Sequence, residues 1–249
     1  MRYLLLVLCW LLMSPSVWAG SSRDFDGVDD IINAGSAASL DNLGSQSQGG
    51  WINPAGWGEG SFGRIETKND QKGCFLDNDG TAPSTTLRAA YITTGVVEAR
   101  SASAGFISLN AWQFVTCVWD GTIGTGSTGV TLFKDASATG SYGQASDATG
   151  TEVDDSAGNH TIGNNAATTR TFDGNHAYVF QYNNTITTTE MSQIMYLPGT
   201  VPLNLVGLWP MWGDSPEVDL SGNGNTGTVT GAAASVEGPP VMFGGGLPL

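Results

Sequence analysis

Short apolar runs alternate with polar positions along most of this chain, and clusters of Gly, Asp and Asn separate the runs. A period of two gives a strand one apolar face. The pattern therefore predicts strands over 50–53, 63–68, 87–93, 112–120, 130–135, 161–164, 177–182, 205–212 and 227–231. Asp79-Gly80, Asp120-Gly121 and Asp173-Gly174 read as turns, since Asp tolerates a positive φ and Gly adopts one without a steric cost. The spacing predicts an all-β fold of antiparallel strands in a sandwich or barrel. One segment breaks the period. Thr187-Thr188-Thr189-Glu190 has the form of a capping box, Met191, Ile194 and Met195 then share one helical face, and Pro198-Gly199 ends the run, predicting one short helix near 187–197 at the sandwich edge.

The first 19 residues follow a different pattern: Arg2, an apolar run from Leu4 to Met13, then Ser16-Val17-Trp18-Ala19 before Gly20. This reads as a signal peptide over 1–19, because the run is shorter than the ~20 residues that span a bilayer. Residues 20–249 are expected to form one domain, secreted to an extracellular or periplasmic space. Beyond the leader two cysteines remain, Cys74 and Cys117, both in strand-like runs. Export makes them a candidate disulfide, the alternative being two buried thiols that never meet. A net charge of −14 disfavours nucleic acid and anionic membrane surfaces as partners, and no run calls for membrane insertion. Charged residues make up only 13% of the chain, so solubility rests on neutral polar groups.

Phe25-Asp26-Gly27-Val28-Asp29-Asp30-Ile31-Ile32-Asn33 is the most specific string. Together with Gly50-Trp51-Ile52-Asn53-Pro54, Asn110 to Val115, Ile162 to Asn165, Phe172-Asp173-Gly174, Tyr178 to Asn183 and the 187–194 helix, it resembles, in order and spacing, the laminin-G-like, concanavalin-A-like jelly-roll family. The resemblance covers about Phe25 to Ile194 and implies a two-sheet antiparallel jelly roll that binds a ligand without catalysis. It also implies a cation, calcium, held by Asp29, Asp30 and Asp173. At 175–177 Asn-His-Ala stands where the family usually has an acidic pair, which weakens that site. Leu205 to Pro210 followed by Asp219 to Gly227 resembles a family segment that usually precedes the opening strand. Residues 201–235 are expected to supply closing strands of the same sandwich; a truncated second copy is the other reading.

Sugar recognition needs flat aromatic surface and polar side chains. Trp57, in a glycine-flanked loop, with Asn164, Asn165 and Arg170, is the candidate ligand-binding set; a Trp57 folded back over the core is the alternative. Asp219, Ser221 and Asn223 imitate the start of a calcium loop, but Thr230 occupies the position of its bidentate Glu, so the loop reads as structural. Glu152-Val153-Asp154 and Glu217-Val218-Asp219 are near misses to a glucanase strand, and neither has the second Glu that a retaining glycosidase uses as acid and base. His160 and His176 lack partners at metal-ligand spacing and read as ordinary polar positions. The expected function is glycan or cell-surface binding. A structural or protein-adhesion role is the first alternative and a glycoside hydrolase the second.

Overall fold

The computed structural model describes residues 21–70, 72–78, 86–101, 105–123 and 129–240, with backbone alone over 96–101. The expected leader over 1–19 and the Asp79-Gly80 turn lie outside the described residues. Two antiparallel sheets stack as a jelly-roll sandwich. The first runs β10 (Ser137–Ala138), β9 (Val130–Lys134), β8 (Gln113–Trp119), β3 (Gln46–Pro54), β13 (Asp173–Tyr182), β1 (Ser22–Asp26), β16 (Ala233–Ser235), and β14 (Leu205–Trp209) also pairs with β13. The second runs β11 (Tyr142–Ser146), β7 (Val96–Ser101), β6 (Thr86–Ile92), β5 (Lys72–Asp77), β4 (Arg64–Lys68), β12 (His160–Ile162), β2 (Ile31–Gly35), β15 (Thr228–Thr230). The 26–30 turn thus carries the chain from β1 in one sheet to β2 in the other.

Phe25, Ile32, Ile52, Ile65, Leu76, Val115, Trp119 and Trp209 fill the space between the sheets. The outer face of the first sheet is apolar too: Trp51, Phe114, Phe180 and Tyr182 pack under Met191, Ile194 and Met195 of helix α1 (Thr188–Tyr196). Burial on both faces explains why β8 reads as a nearly continuous apolar run. The capping box forms as the sequence predicts, with the Glu190 amide donating to Thr187 Oγ1 at 3.2 Å and the Thr187 amide donating to Glu190 Oε2 at 2.7 Å. The helix covers this sheet face instead of sitting at an edge, and Trp51 Nε1 donates to the Met195 carbonyl at 2.9 Å. A bulge in β13 opposite Gly50 brings the backbone at Tyr178 and Val179 close, and a Cβ on the preceding Gly49 would overlap the Val115 carbonyl oxygen. Gly49-Gly50 is the pair that admits this contact.

The C-terminal strands pair inside both sheets: β14 with β13, β15 with β2 and β16 with β1. Arg23 on β1 fastens this closure from within. Its Nε donates to Glu217 Oε2 at 2.9 Å, one terminal nitrogen to the Ala232 carbonyl at 2.7 Å and the other to the Asp214 carbonyl. Cys74 on β5 and Cys117 on β8 form a disulfide that ties the two sheets across the core.

Both histidines sit inside the sandwich rather than at ordinary polar positions. His176 lies between Phe25 and Phe172, ring centroids 4.8 and 4.0 Å away, and neither ring nitrogen has a hydrogen-bond partner. Burial lowers its pKa to about 3. His160 stacks on Trp209, and its Nε2 lies 3.0 Å from Glu66 Oε2. Burial raises the Glu66 carboxyl well above its usual range. Burial, with Lys68 close by, lowers His160 to about 3, so the shared proton rests on Glu66.

Candidate functional site

The turn between β1 and β2 is built by its own carboxylates. Asp26 Oδ1 accepts from the Val28 amide and Asp30 Oδ2 from the Asp26 amide, both at 2.8 Å, and the Gly27 amide donates to the Phe172 carbonyl at 3.0 Å. This folding brings oxygens of Asp26, Asp29 and Asp30 within 4.8 Å of one another. Asp26 belongs to this group, a member the sequence reading lacks. Asp173 faces Asp26 across the β1–β13 ladder but stands outside the group, its carboxylate against Gly56. Burial raises Asp30, with Asp26, Asp29 and Asp24 adding to it; burial also raises Asp173, and Asp26 adds to that. A set of hard oxygen donors whose negative charges repel one another suits calcium, and a cation would relieve that repulsion.

The segment after β12 carries the expected polar ligands, and most of their capacity is used internally. Asn164 is fully buried: its Nδ2 donates to Thr171 Oγ1 at 2.6 Å and the Asp30 carbonyl at 3.2 Å, while its Oδ1 accepts from the amides of Asn165 and Arg170. Asn165, 8% exposed, bonds Asp70 and the amide and hydroxyl of Thr169. These two side chains, expected as ligand contacts, are buried and hold the loop in shape. Trp57 is half-buried and packs against the core between the sheets, so the folded-back alternative describes it.

Arg170 goes elsewhere. The loop held by Asn164 and Asn165 delivers its guanidinium over Phe62, 5.0 Å from the ring centroid, and against Gly60, where a Cβ would collide with it. Two further arginines meet it there. Arg64 on β4 lies opposite Phe75 on β5, which lies opposite Arg88 on β6. Ile65, Cys74, Leu76, Leu87 and Ala89 point into the core, so this cross-strand row occupies the outer face of the second sheet. Arg64 Cζ sits 4.0 Å over the Phe75 ring and Arg88 Cζ 5.5 Å over it, and Phe62 meets Phe75 edge-on at 6.4 Å. Arg88 pairs with Asp77 at 2.8 Å. Among the described residues neither Arg64 nor Arg170 has a carboxylate within 4.0 Å. Burial brings Arg64 down to about 10; Arg170 and Arg88 push the same way, Asp70 and Asp77 oppose, and it stays charged at neutral pH. No single motif announces this face. Its signal in the sequence is the alternation Arg64-Ile65, Cys74-Phe75 and Leu87-Arg88, which puts a cation or ring on the side opposite each core residue.

The carboxylates that imitate a glucanase have structural duties. Glu152 and Asp155 pair with the buried Lys72, and Asp154 caps Ser156 and Asn42. Glu217 holds Arg23 and the Trp212 amide. Asp219 accepts from the amides of Leu208, Ser221 and Asn225, which shapes the 219–225 loop from within.

No family model and no curated protein matches the chain. Among solved structures, a protein from Bacteroides ovatus described as carbohydrate-binding aligns with a TM-score of 0.65 at 16% identity, over 90% of this chain and 62% of its own. The chain thus spans under two thirds of that protein. A heptameric pentraxin from Limulus polyphemus aligns at 0.48 with 15% identity, over 85% of this chain and 94% of its own. Domain 4 of an extracellular arabinanase from Geobacillus stearothermophilus, solved with arabinotriose, aligns at 0.47 with 14% identity, over 70% and 76%. What the chain shares with the first of these is the jelly-roll fold.

Proposed function

We propose that this chain is a secreted, laminin-G-like module that binds glycans without cleaving them. The observation that carries the reading is the outer face of the second sheet, where three guanidinium groups gather over two phenyl rings and two of them, Arg64 and Arg170, have no carboxylate within 4.0 Å among the described residues. A guanidinium stacked through its face keeps its in-plane donors free for oxygen acceptors, and sugars offer those acceptors densely. The near-miss carboxylates are occupied in ion pairs and caps, which supports a non-catalytic role. Asp26, Asp29 and Asp30 would hold calcium, which would supply a fixed positive charge and neutralise the turn. The likeness of fold to a carbohydrate-binding protein is compatible with this reading.

A glycan array of the purified chain, with calcium and with chelator, tests it. Hits should weaken in Arg170→Ala, whose side chain crosses the surface loop, while Trp57→Ala should chiefly lower stability. An array with no hits in either condition would move the function to protein adhesion. That second reading is favoured by the exposed Tyr196 at the end of α1 and Leu197 and Leu203 after it.

A further inference from the structure

Nine lysines and arginines serve a chain of net charge −14, and the fold does not scatter them. Arg23, Lys68 and Lys72 are buried in ion pairs inside the sandwich. Arg64, Arg88 and Arg170 converge on Phe62 and Phe75, and the backbone register sets Arg100 of β7 opposite Arg88. The opposite charge gathers elsewhere. Asp24, Asp26, Asp29, Asp30 and Asp173 crowd the β1 turn, and Asp24 and Glu237 line a groove of about 440 Å³ beside β16.

We infer that the Arg64–Arg88–Arg170 face selects acidic polysaccharides, taking the carboxylate or sulfate groups carried on their sugar rings. The inference rests on the glycan-binding reading and narrows it. Two features of the face decide against a neutral sugar. Phe75 is only 5% exposed because the guanidinium groups already cover it, so little bare aromatic surface remains for a pyranose ring. What remains is guanidinium surface, on which Arg64 and Arg170 have no carboxylate within 4.0 Å among the described residues. Neutral hydroxyls donate as well as accept, and Asp77, buried under Arg88, is closed to them. A carboxylate or sulfate accepts only, and the guanidinium fork matches its oxygens two at a time.

The acidic remainder of the molecule does not forbid this. At physiological salt the Debye length is about 8 Å, so carboxylates farther away act weakly while an anion stacked against the arginines feels them fully. Adjacent strands lie about 4.8 Å apart, so the backbones of Arg64 and Arg88 are separated by about 10 Å, and their guanidinium groups lean together over the Phe75 ring between them. A row of that kind meets a chain of repeating charges better than one isolated anion.

Calorimetry of the purified chain, in EDTA to prevent calcium bridging, against polygalacturonate, a sulfated galactan and neutral arabinan tests the inference. Uronate or sulfate binding is expected, weakening with added NaCl. Arg170→Ala should cost about tenfold or more in affinity, as the loss of a charge-assisted contact implies. Arg170→Lys and Arg64→Lys keep charge and stem but lose the fork, and should fall between; their thermal melts check that folding is intact. The polyuronate and sulfated arms distinguish the two anionic groups, and binding of either supports the inference. Equal binding of neutral arabinan, unaffected by the arginine changes, would overturn the charge preference and leave glycan binding standing. Binding lost in EDTA would move the site to the Asp26 turn and overturn the inference. Single-stranded DNA binding as tightly with the same arginine dependence would overturn it as well. Silence from every glycan would overturn both readings.

Discussion

Removing the Glu217 carboxylate should loosen the joint between the N-terminal strand and the C-terminal segment. Arg23 is 3% exposed and Glu217 fully buried, and the glutamate also accepts the Trp212 amide at 3.0 Å. Glu217→Ala leaves the Arg23 charge with only the Ala232 and Asp214 carbonyls and strips Trp212 of its acceptor. Breaking a buried pair from one side costs about 3–5 kcal/mol, and the orphaned amide is part of that figure, not an addition to it. Taking ~4 kcal/mol, a domain of this size should melt roughly 8–16 °C lower. Urea unfolding followed by circular dichroism reads the free energy, and amide hydrogen exchange should show β14–β16 opening before β3 and β8. Glu217→Gln keeps an oxygen acceptor without the charge and should cost clearly less than Ala. The pair Arg23→Met with Glu217→Leu, which removes both charges, should regain much of the loss. A Glu217→Ala cost under about 1 kcal/mol, or a Gln variant as unstable as Ala, would refute the clamp.

Three further outcomes are expected. Replacing Cys74 and Cys117 together by Ala should lower stability by up to about 4 kcal/mol, the chain-entropy value for a bridge spanning a sequence separation of 43; urea melts of oxidised and variant protein check it, and a loss below about 1 kcal/mol would contradict it. His160 and His176 titrate near 3 in the fold against 6.5 unfolded, so the unfolded chain takes up their protons first and stability should fall as pH drops from 6.5 toward 3; Glu66, raised by burial, contributes the opposite slope above 4.5. His176→Phe, which also removes two unpartnered ring nitrogens, should flatten that acid slope by up to about 1.4 kcal/mol per pH unit, and an unchanged slope would be inconsistent with a neutral buried imidazole. Millimolar calcium should raise the melting temperature of the chain and not of Asp29→Asn, and equal melting with and without calcium would remove the cation from the turn.

The architecture was legible because its signals are local. The alternation of the strands and the Thr187 capping box each concern residues a few positions apart, and both formed near where the sequence placed them; Asp173-Gly174, read as a turn, instead opens β13 and pairs with Asp26 and Phe25 of β1. The two cysteines in strand-like runs met because those strands face each other across the core. The arginine face was only partly legible: alternation sets Arg64, Phe75 and Arg88 opposite their core neighbours, but which of them meet depends on register, and register shifts at bulges. The shift between Arg64 and Glu66 sends Arg64 outward beside Phe75 while Glu66 turns inward to His160, which no count of alternating positions reveals. The internal roles of Asn164 and Asn165 were hidden for a related reason. Sequence gives their donors and acceptors but not the amides of 165, 169 and 170 that consume them. His176 was read as polar by residue type, yet its position in β13 puts it between two phenylalanines, where a neutral imidazole serves as a ring. Arg170 of the expected ligand set lies on the arginine face, because the loop that spends its asparagines on itself carries its guanidinium to a face built by other strands.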